Sequence, residues 1–461
     1  MSDPNLIDKL SAHLSPPARR ALHTLTSLAR RRRLALYLVG GAVRDLLLGA
    51  DTLDLDLTLE GDAPSLAREA AAALGARCVV HPAFLTATLK GEGFVLDLAT
   101  ARTETYARPG ALPAVSPASI REDLLRRDFT VNATALPLTG PRRGHLVDPA
   151  GGRADLEAGL LRVLHERSFV DDATRILRAA RYELRFGFRL GERTLAWLKR
   201  DAAYLATISG ARLRQELARI FAEREPEPAL LRLDHLGALT AVHPSLTFDA
   251  EQAAALARLR SLDRDVPHAA AWALLAWALD EGQAAALAGR LALTRPQAQA
   301  LCALPRLRAL APDLVGPDLR TSQAVEALSP YPAPAVWALA AATSSDIVRD
   351  RCLAYLRHFR YAKSSLDGHA LLALGVAPGP AIGDVLRRLK VAKLDGEVKS
   401  RRDEERLVRS LLSSSPKASL QADGPSHSKP RTSLQAGAAP TPRRVSQADR
   451  MKRTRKRRPS P

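Results

Sequence analysis

A change of texture near residue 150 constrains the fold more than any other feature. Between residues 34 and 138 the chain reads as short strands with one or two helices. Beyond about Ala150 strand signals nearly vanish, and helical segments follow one another to about Leu412. In the first region, 34–39 is a continuous apolar run of strand length. Gly40-Gly41 follows it, and 42–48 is helical in character with Gly49 placed to cap it. Residues 53–60 alternate strictly: Leu53, Leu55, Leu57 and Leu59 share one face, and Asp54, Asp56, Thr58 and Glu60 share the other. That alternation marks a half-buried strand. Residues 64–74 read as a helix, and 84–90 and 94–100 as strands joined by a hairpin at Gly91-Glu92-Gly93.

The predicted fold class is therefore α+β. A helical lead-in spans 1–30, a region with a small mixed sheet spans 31–150, and the rest, to about residue 412, is all-α. Helices are predicted at 171–188, 211–224, 228–236, 250–262 and 269–279, with Pro-rich loops at 329–334 and 378–380. Residues 413–461 are rich in Ser, Pro, Ala, Gln and basic side chains, with too little apolar surface to fold, so a disordered basic tail is expected.

At 461 residues and 46% hydrophobic, the chain has enough apolar surface for a sizeable core. Its net charge of +19 suits a polyanionic partner, either nucleic acid or an anionic surface. The charge is uneven: residues 411–461 carry 12 Lys and Arg against 2 Asp, about half of the total. Three scattered cysteines, Cys78, Cys302 and Cys352, exclude a disulfide scaffold and a Cys-rich zinc site. Residues 1–15 lack the apolar core of a signal peptide. The longest apolar run, 269–279, is too short to span a bilayer. A cytoplasmic protein with no membrane partner is expected, its oligomeric state left open.

Several constellations carry chemistry. Asp54 and Asp56, at i and i+2 of a strand, share a face with Cα atoms about 6.5–7 Å apart. Two carboxylates so placed can hold one or two Mg²⁺ ions, although a solvated edge strand shows the same pattern. Gly40-Gly41 between a strand and a helix lets backbone approach a phosphate, and Arg44 can add a contact; a plain turn has the same sequence. Asp97 stands on the side opposite Leu96 and Leu98, as a third metal ligand, a base for an attacking hydroxyl, or a polar-face residue. Residues 126–133, with Arg127 and Asp128, combine cation, anion, amide and aromatic groups. In the predicted helix at 171–188, Asp172 and Arg175 lie one turn apart and offer acceptor and donor in one plane to a base edge. Arg178, Arg181 and Arg185 continue from them. A salt-bridged, solvent-facing helix accounts for the same residues.

Five segments occur in order: 38–56 (LVGGAVRDLLLGADTLDLD), 100–110 (TARTETYARPG), 120–133 (IREDLLRRDFTVNA), 148–156 (DPAGGRADL) and 169–188 (FVDDATRILRAARYELRFGF). Together they resemble the class II tRNA nucleotidyltransferase/poly(A) polymerase family, over roughly residues 30–245. The resemblance implies a polymerase-β-like nucleotidyltransferase head at 31–150, followed by a helical neck at 151–225 and a helical body and tail at 226–412. It implies that Gly40, Gly41 and Arg44 meet the nucleotide phosphates, and that Asp54 and Asp56 bind Mg²⁺. Arg127, with Asp128 beside it, would act near the sugar and phosphates. Asp172 and Arg175 would select the incoming base, and Arg178 and Arg181 would bind nucleotide. Asp97 is a candidate third catalytic carboxylate. The first position of the base-selecting motif is Asp171 where the family has Glu, which puts in question how the pair is buttressed.

The implied reaction is template-independent addition of C, A or both to the 3′ end of tRNA. The RNA 3′-hydroxyl attacks the α-phosphate of CTP or ATP and pyrophosphate leaves. Alternatives are bacterial poly(A) polymerase, a relative acting on a small molecule or protein, or a non-catalytic RNA-binding protein on the same fold. A G-R-R-F-type segment, which bacterial poly(A) polymerases tend to show, is absent, while the basic tail points the other way.

Overall fold

The alternating leucines place the head sheet. The computed structural model describes residues 6–50 and 54–414. Two helices lead in, α1 (Leu6–His13) and α2 (Pro16–Arg31), and strand β1 (Ala35–Val39) follows. Then come α3 (Gly41–Leu48), β2 (Leu55–Glu60), α4 (Ala63–Leu74), β3 (Arg77–His81), β4 (Thr86–Gly91) and β5 (Phe94–Thr100). Gly49 caps α3 in the left-handed conformation, as its sequence position predicts. Predicted residue 53 lies outside the described residues. A hairpin of β6 (Arg102–Thr105) and β7 (Ala114–Pro117) stands apart from the main sheet. Helix α5 (Ile120–Leu125) and a 3-10 turn, Thr130–Asn132, lead into β8 (Ala135–Pro137).

The main sheet has the order β3-β4-β5-β2-β1-β8. Strands β2 and β5 run parallel, and the other neighbours are antiparallel. Leu36, Leu38, Leu57, Leu59, Leu89, Leu96 and Leu98 point to one face, where helices α2 and α4 bury them. Each such burial contributes about 2 kcal/mol. Because strand side chains alternate, Asp56 and Asp97 are turned to the opposite face.

Downstream lie α6 (Gly152–Glu157), β9 (Leu160–Leu161), α7 (Ser168–Asp171), α8 (Thr174–Phe186), β10 (Arg189–Leu190), α9 (Glu192–Asp201) and α10 (Gly210–Phe221). Two corrections to the sequence reading arise here. Strands do occur beyond residue 150: β9 and β10 form a short parallel pair. The helix predicted at 171–188 is two helices, because Asp172 is extended at φ −142°, ψ 96°. Its Oδ1 accepts from the backbone N–H of Thr174 at 3.0 Å, so the side chain takes a bond that helix continuation would need.

From Glu227–His235 to Asp346–Arg357 further helices share one core with α8, α9 and α10, around Trp272, Trp337 and the Ala335–Ala342 stretch. The helix predicted at 269–279 ends at Leu274. A smaller core joins Leu366, Leu371, Val376, Leu389 and Val408. The final helix, Arg401–Ser414, reaches into the expected tail, and the remainder of that tail lies outside the described residues. Among the described residues no helix is long and apolar enough to cross a membrane.

Candidate active site

The parallel pairing of β2 and β5 brings two carboxylates into register. Asp56 and Asp97 are direct Cα partners, and neighbouring strands lie about 4.8 Å apart. Thr88, across from Asp97 on β4, donates its hydroxyl to Asp97 Oδ1 at 2.5 Å. Asp54 sits just before β2 begins. A cleft of about 380 Å³ lies over this face, lined by Asp56, Thr58, Thr86, Asp97 and Arg127 among others. Asp56 is open to the cleft yet surrounded by protein. Desolvation pushes its carboxyl up to about 6, with Asp97 and Asp54 adding repulsion and Arg127 opposing them. Among the described residues no three His, Cys, Asp or Glu side chains converge into a ready-made metal cage. One or two hard carboxylates completed by water and phosphate oxygens suit a divalent ion such as Mg²⁺. The under-compensated Asp56 is the kind of group such an ion would neutralise.

Arg127 stands at the rim of this cleft and also lines a second one. Its Nη2 donates to Asp123 Oδ2 at 2.9 Å. Asp123 is fully buried; it also accepts from Arg126 Nη2 at 2.6 Å and from the Arg102 N–H at 3.2 Å. The capping box of Ser119 and Glu122 starts the helix that carries Asp123. Gly40, at φ +65°, closes under Arg127, and a Cβ there would meet Arg127 Nη1 at 2.5 Å. The Nε of Arg127 is buried without a hydrogen-bond partner.

The second cleft, about 360 Å³, is lined by Arg127, Asp128, Asp172, Arg175 and Arg178 from the predicted set. Asp172 and Arg175 both face it but are held separately rather than paired across a helical turn. Asp172 Oδ1 accepts from Thr174 N at 3.0 Å, Thr174 Oγ1 at 2.6 Å and Arg212 Nη2 at 2.8 Å. Arg175 is buried, with Nη1 donating to Ser168 Oγ at 2.5 Å and Nη2 to the Arg126 carbonyl at 2.8 Å. Asp171 contributes little: its nearest cation, Arg167, is 3.9 Å away. Arg212 and Thr174 thus do the buttressing that the sequence left open. Asp128 accepts from Arg178 Nε and Nη2 at 2.9 and 2.6 Å. Burial raises the Asp128 carboxyl, but Arg178 and the Asn132 hydrogen bond outweigh it and bring it down to about 2.

Of the predicted residues, Gly40, Gly41, Arg44, Asp54 and Arg181 line neither cleft. Arg44 is buried beneath the Gly40-Gly41 turn, bonded to Asp45 and Asn132. Arg181 lies over the Tyr182 ring and 4.0 Å from Glu223. Outside the predicted site residues, Glu104, Tyr106, Arg126, Thr174, Arg212, Gln215 and Glu216 complete the second cleft. Tyr106 donates to Glu104 at 2.8 Å; burial and then Glu104 push its hydroxyl well above the usual range. A local signal existed for Arg126, beside Arg127, and for Glu104 and Tyr106, which lie in the 100–110 segment of the resemblance. Arg212, Gln215 and Glu216 come from α10, which the fold alone brings to this cleft.

The poly A polymerase head domain matches residues 36–162, and the probable RNA and SrmB-binding site of polymerase A matches residues 187–249. The chain is similar to the A-adding tRNA nucleotidyltransferase of Halalkalibacterium halodurans, 33% identical over 88% of this chain and 96% of that one. It is also similar to the CC-adding tRNA nucleotidyltransferase of Deinococcus radiodurans, 36% identical over 89% of this chain and 98% of that one. Of one further curated relative the chain spans about half, 49% of its length. Among solved structures, the Thermotoga maritima CCA-adding enzyme complexed with tRNA aligns with a TM-score of 0.71 at 29% identity, covering 89% of this chain and 99% of that one.

Proposed function

The chain belongs to the class II tRNA nucleotidyltransferase/poly(A) polymerase family, and from that premise we propose that it adds C, A or both to the 3′ end of tRNA from CTP and ATP without a nucleic-acid template. One observation carries this reading. Arg127 lines both the carboxylate cleft and the cleft of Asp172 and Arg175, so one nucleotide can place its α-phosphate in the first and its base in the second.

Each side chain then has a task. Asp172 accepts from an exocyclic amino group, which cytosine and adenine both carry and uracil lacks. Arg175 donates to the neighbouring ring nitrogen, with Arg178 and Arg181 supporting from the same helix. Arg127 and Asp128 hold the sugar and phosphates between the clefts. The Gly40-Gly41 turn admits the phosphates, and Arg44 beneath it fixes the turn. Nucleotidyltransferases generally use divalent metal ions; here Asp54 and Asp56 would hold Mg²⁺, with Asp97 as the assisting carboxylate. When bound, the ion supplies charge stabilisation to the reacting phosphate oxygens. The RNA 3′-hydroxyl attacks the α-phosphorus, the bond to the bridging oxygen breaks, and pyrophosphate leaves. The three cysteines are free thiols, which suits a cytoplasmic enzyme.

The test is the double variant Asp54→Ala/Asp56→Ala. Incorporation into tRNA is expected to be abolished while tRNA binding stays close to wild type. Full incorporation would overturn the assignment.

A further inference from the structure

Beneath the two clefts runs a chain of polar contacts that neither the carboxylates nor the base-facing groups account for. Arg44 Nη1 donates to Asn132 Oδ1 at 2.6 Å, and Asn132 Nδ2 donates to Asp128 Oδ1 at 2.9 Å. The other Asp128 oxygen takes both bonds from Arg178 on α8. The Arg44 guanidinium also lies 4.4 Å from the ring centroid of Phe186, at the end of that same helix. The helix that follows the Gly40-Gly41 turn is therefore tied to α8 twice, once through Asn132 and once through an aromatic face.

The chemistry at position 132 is specific. The side chain must accept from a guanidinium on one side and donate to a carboxylate on the other, and Asn132 is 5% exposed. An amide does both. An Asp would set a second carboxylate against Asp128. An apolar side chain would strip Arg44 Nη1 of its acceptor and leave Asp128 Oδ1 with the Phe129 N–H alone. Asn132 itself lines neither cleft, so its effect must pass through Arg44 and Asp128.

We propose that Asn132 is a positioning residue that couples the phosphate-binding turn at Gly40-Gly41 to the base-reading helix α8, so that a base seated correctly against α8 sets the α-phosphate over Asp56. The inference rests on the nucleotidyl-transfer reading above. Its consequence is that loss of Asn132 degrades the geometry of the reacting complex for the correct nucleotide more than it weakens nucleotide binding.

The experiment measures kcat and KM for CTP, ATP, UTP and GTP on end-shortened tRNA, with thermal unfolding of each protein. Wild type is compared with Asn132→Ala, Asn132→Gln and Phe186→Ala. For Asn132→Ala, kcat for the preferred nucleotide is expected to fall about 10- to 100-fold while KM moves less than about 3-fold. Rates with UTP and GTP should fall less, so discrimination narrows. Asn132→Gln keeps both hydrogen-bonding roles and should recover part of the loss; Phe186→Ala should show the same pattern more mildly. If Asn132→Ala fails to fold, the other two variants carry the comparison. An equal rate loss for all four nucleotides, or a rise in KM alone, would mean a merely structural role and overturn the proposal. Wild type that incorporates no nucleotide would overturn the underlying reading instead, a result plainly different from either.

Discussion

Asp56 and Asp97 face each other as partners in the parallel ladder of β2 and β5, so two carboxylates project side by side from one face of the head sheet. Desolvation, with repulsion from Asp97 and Asp54, holds a proton on Asp56 up to about pH 6. In metal-free protein the folded state keeps that proton after the unfolded chain has lost it near pH ~4. Stability should therefore fall as pH rises from about 4 to about 6. On the proposed assignment Mg²⁺ takes the deprotonated form, so at neutral pH it should raise Tm, and the gain should shrink as pH drops through about 6. Thermal unfolding with Mg²⁺ and with EDTA checks both slopes. Asp56→Asn should abolish the Mg²⁺ gain and lower incorporation by about 10³-fold or more.

Gly40→Ala should be costly out of proportion to its single methyl group. The position has φ +65°, and the new Cβ would meet Arg127 Nη1 at 2.5 Å. With ψ at −130° the backbone lies in a region that residues with a Cβ avoid, at a cost of about 1–3 kcal/mol, and the displacement of Arg127 should lower kcat/KM by about 100-fold. Chemical denaturation and steady-state kinetics on the same variant separate the two effects.

The Asp128–Arg178 pair should be visible in acid. With the Asp128 carboxyl brought down to about 2 in the folded state, its contribution is complete above the unfolded value near ~4 and is lost as pH falls through about 2. The amount is on the order of 2 kcal/mol. Urea unfolding of wild type across that range should show this slope, and Asp128→Asn should flatten it while destabilising the protein at neutral pH, because Arg178 loses its closest anion and keeps only Glu216, 3.8 Å away.

Base choice should depend on Asp172 more than on any neighbour. Its Oδ1 is occupied by Thr174 and Arg212, which leaves Oδ2 available to a base. Asp172→Asn replaces an acceptor with an amide that can also donate, so discrimination against UTP should fall by about 100-fold. Thr174→Val removes one of the three bonds that fix the carboxylate and should cost about 3- to 10-fold in the same ratio. Competition assays with mixed nucleotides read both.

Local pattern made much of the head legible. The alternating leucines before and after Asp56 and Asp97 determine which way those carboxylates point, and the two strands fell where alternation put them. What the sequence could not carry was the competition at Asp172. A charged run from 171 reads as one helix by periodicity, yet the Asp172 side chain takes the Thr174 N–H and ends α7 there. Nor could it carry the pairing of distant segments. Glu104 and Tyr106 lie in the segment 100–110 that carries the resemblance, but Arg212 from α10 reads locally as an ordinary charged residue, and only the fold brings the three to one cleft. The short edge strand β8 was missed because three apolar residues carry no periodic signal.

The most direct measurement offers wild-type protein, with Mg²⁺, tRNAs that end before the terminal triplet, after one C and after two Cs, with CTP, ATP or both. The expected products are extended by a defined number of C or A residues and stop at the mature end. Long homopolymeric A tails would contradict tRNA end addition in favour of poly(A) synthesis, and no extension of any tRNA would contradict the enzymatic reading altogether.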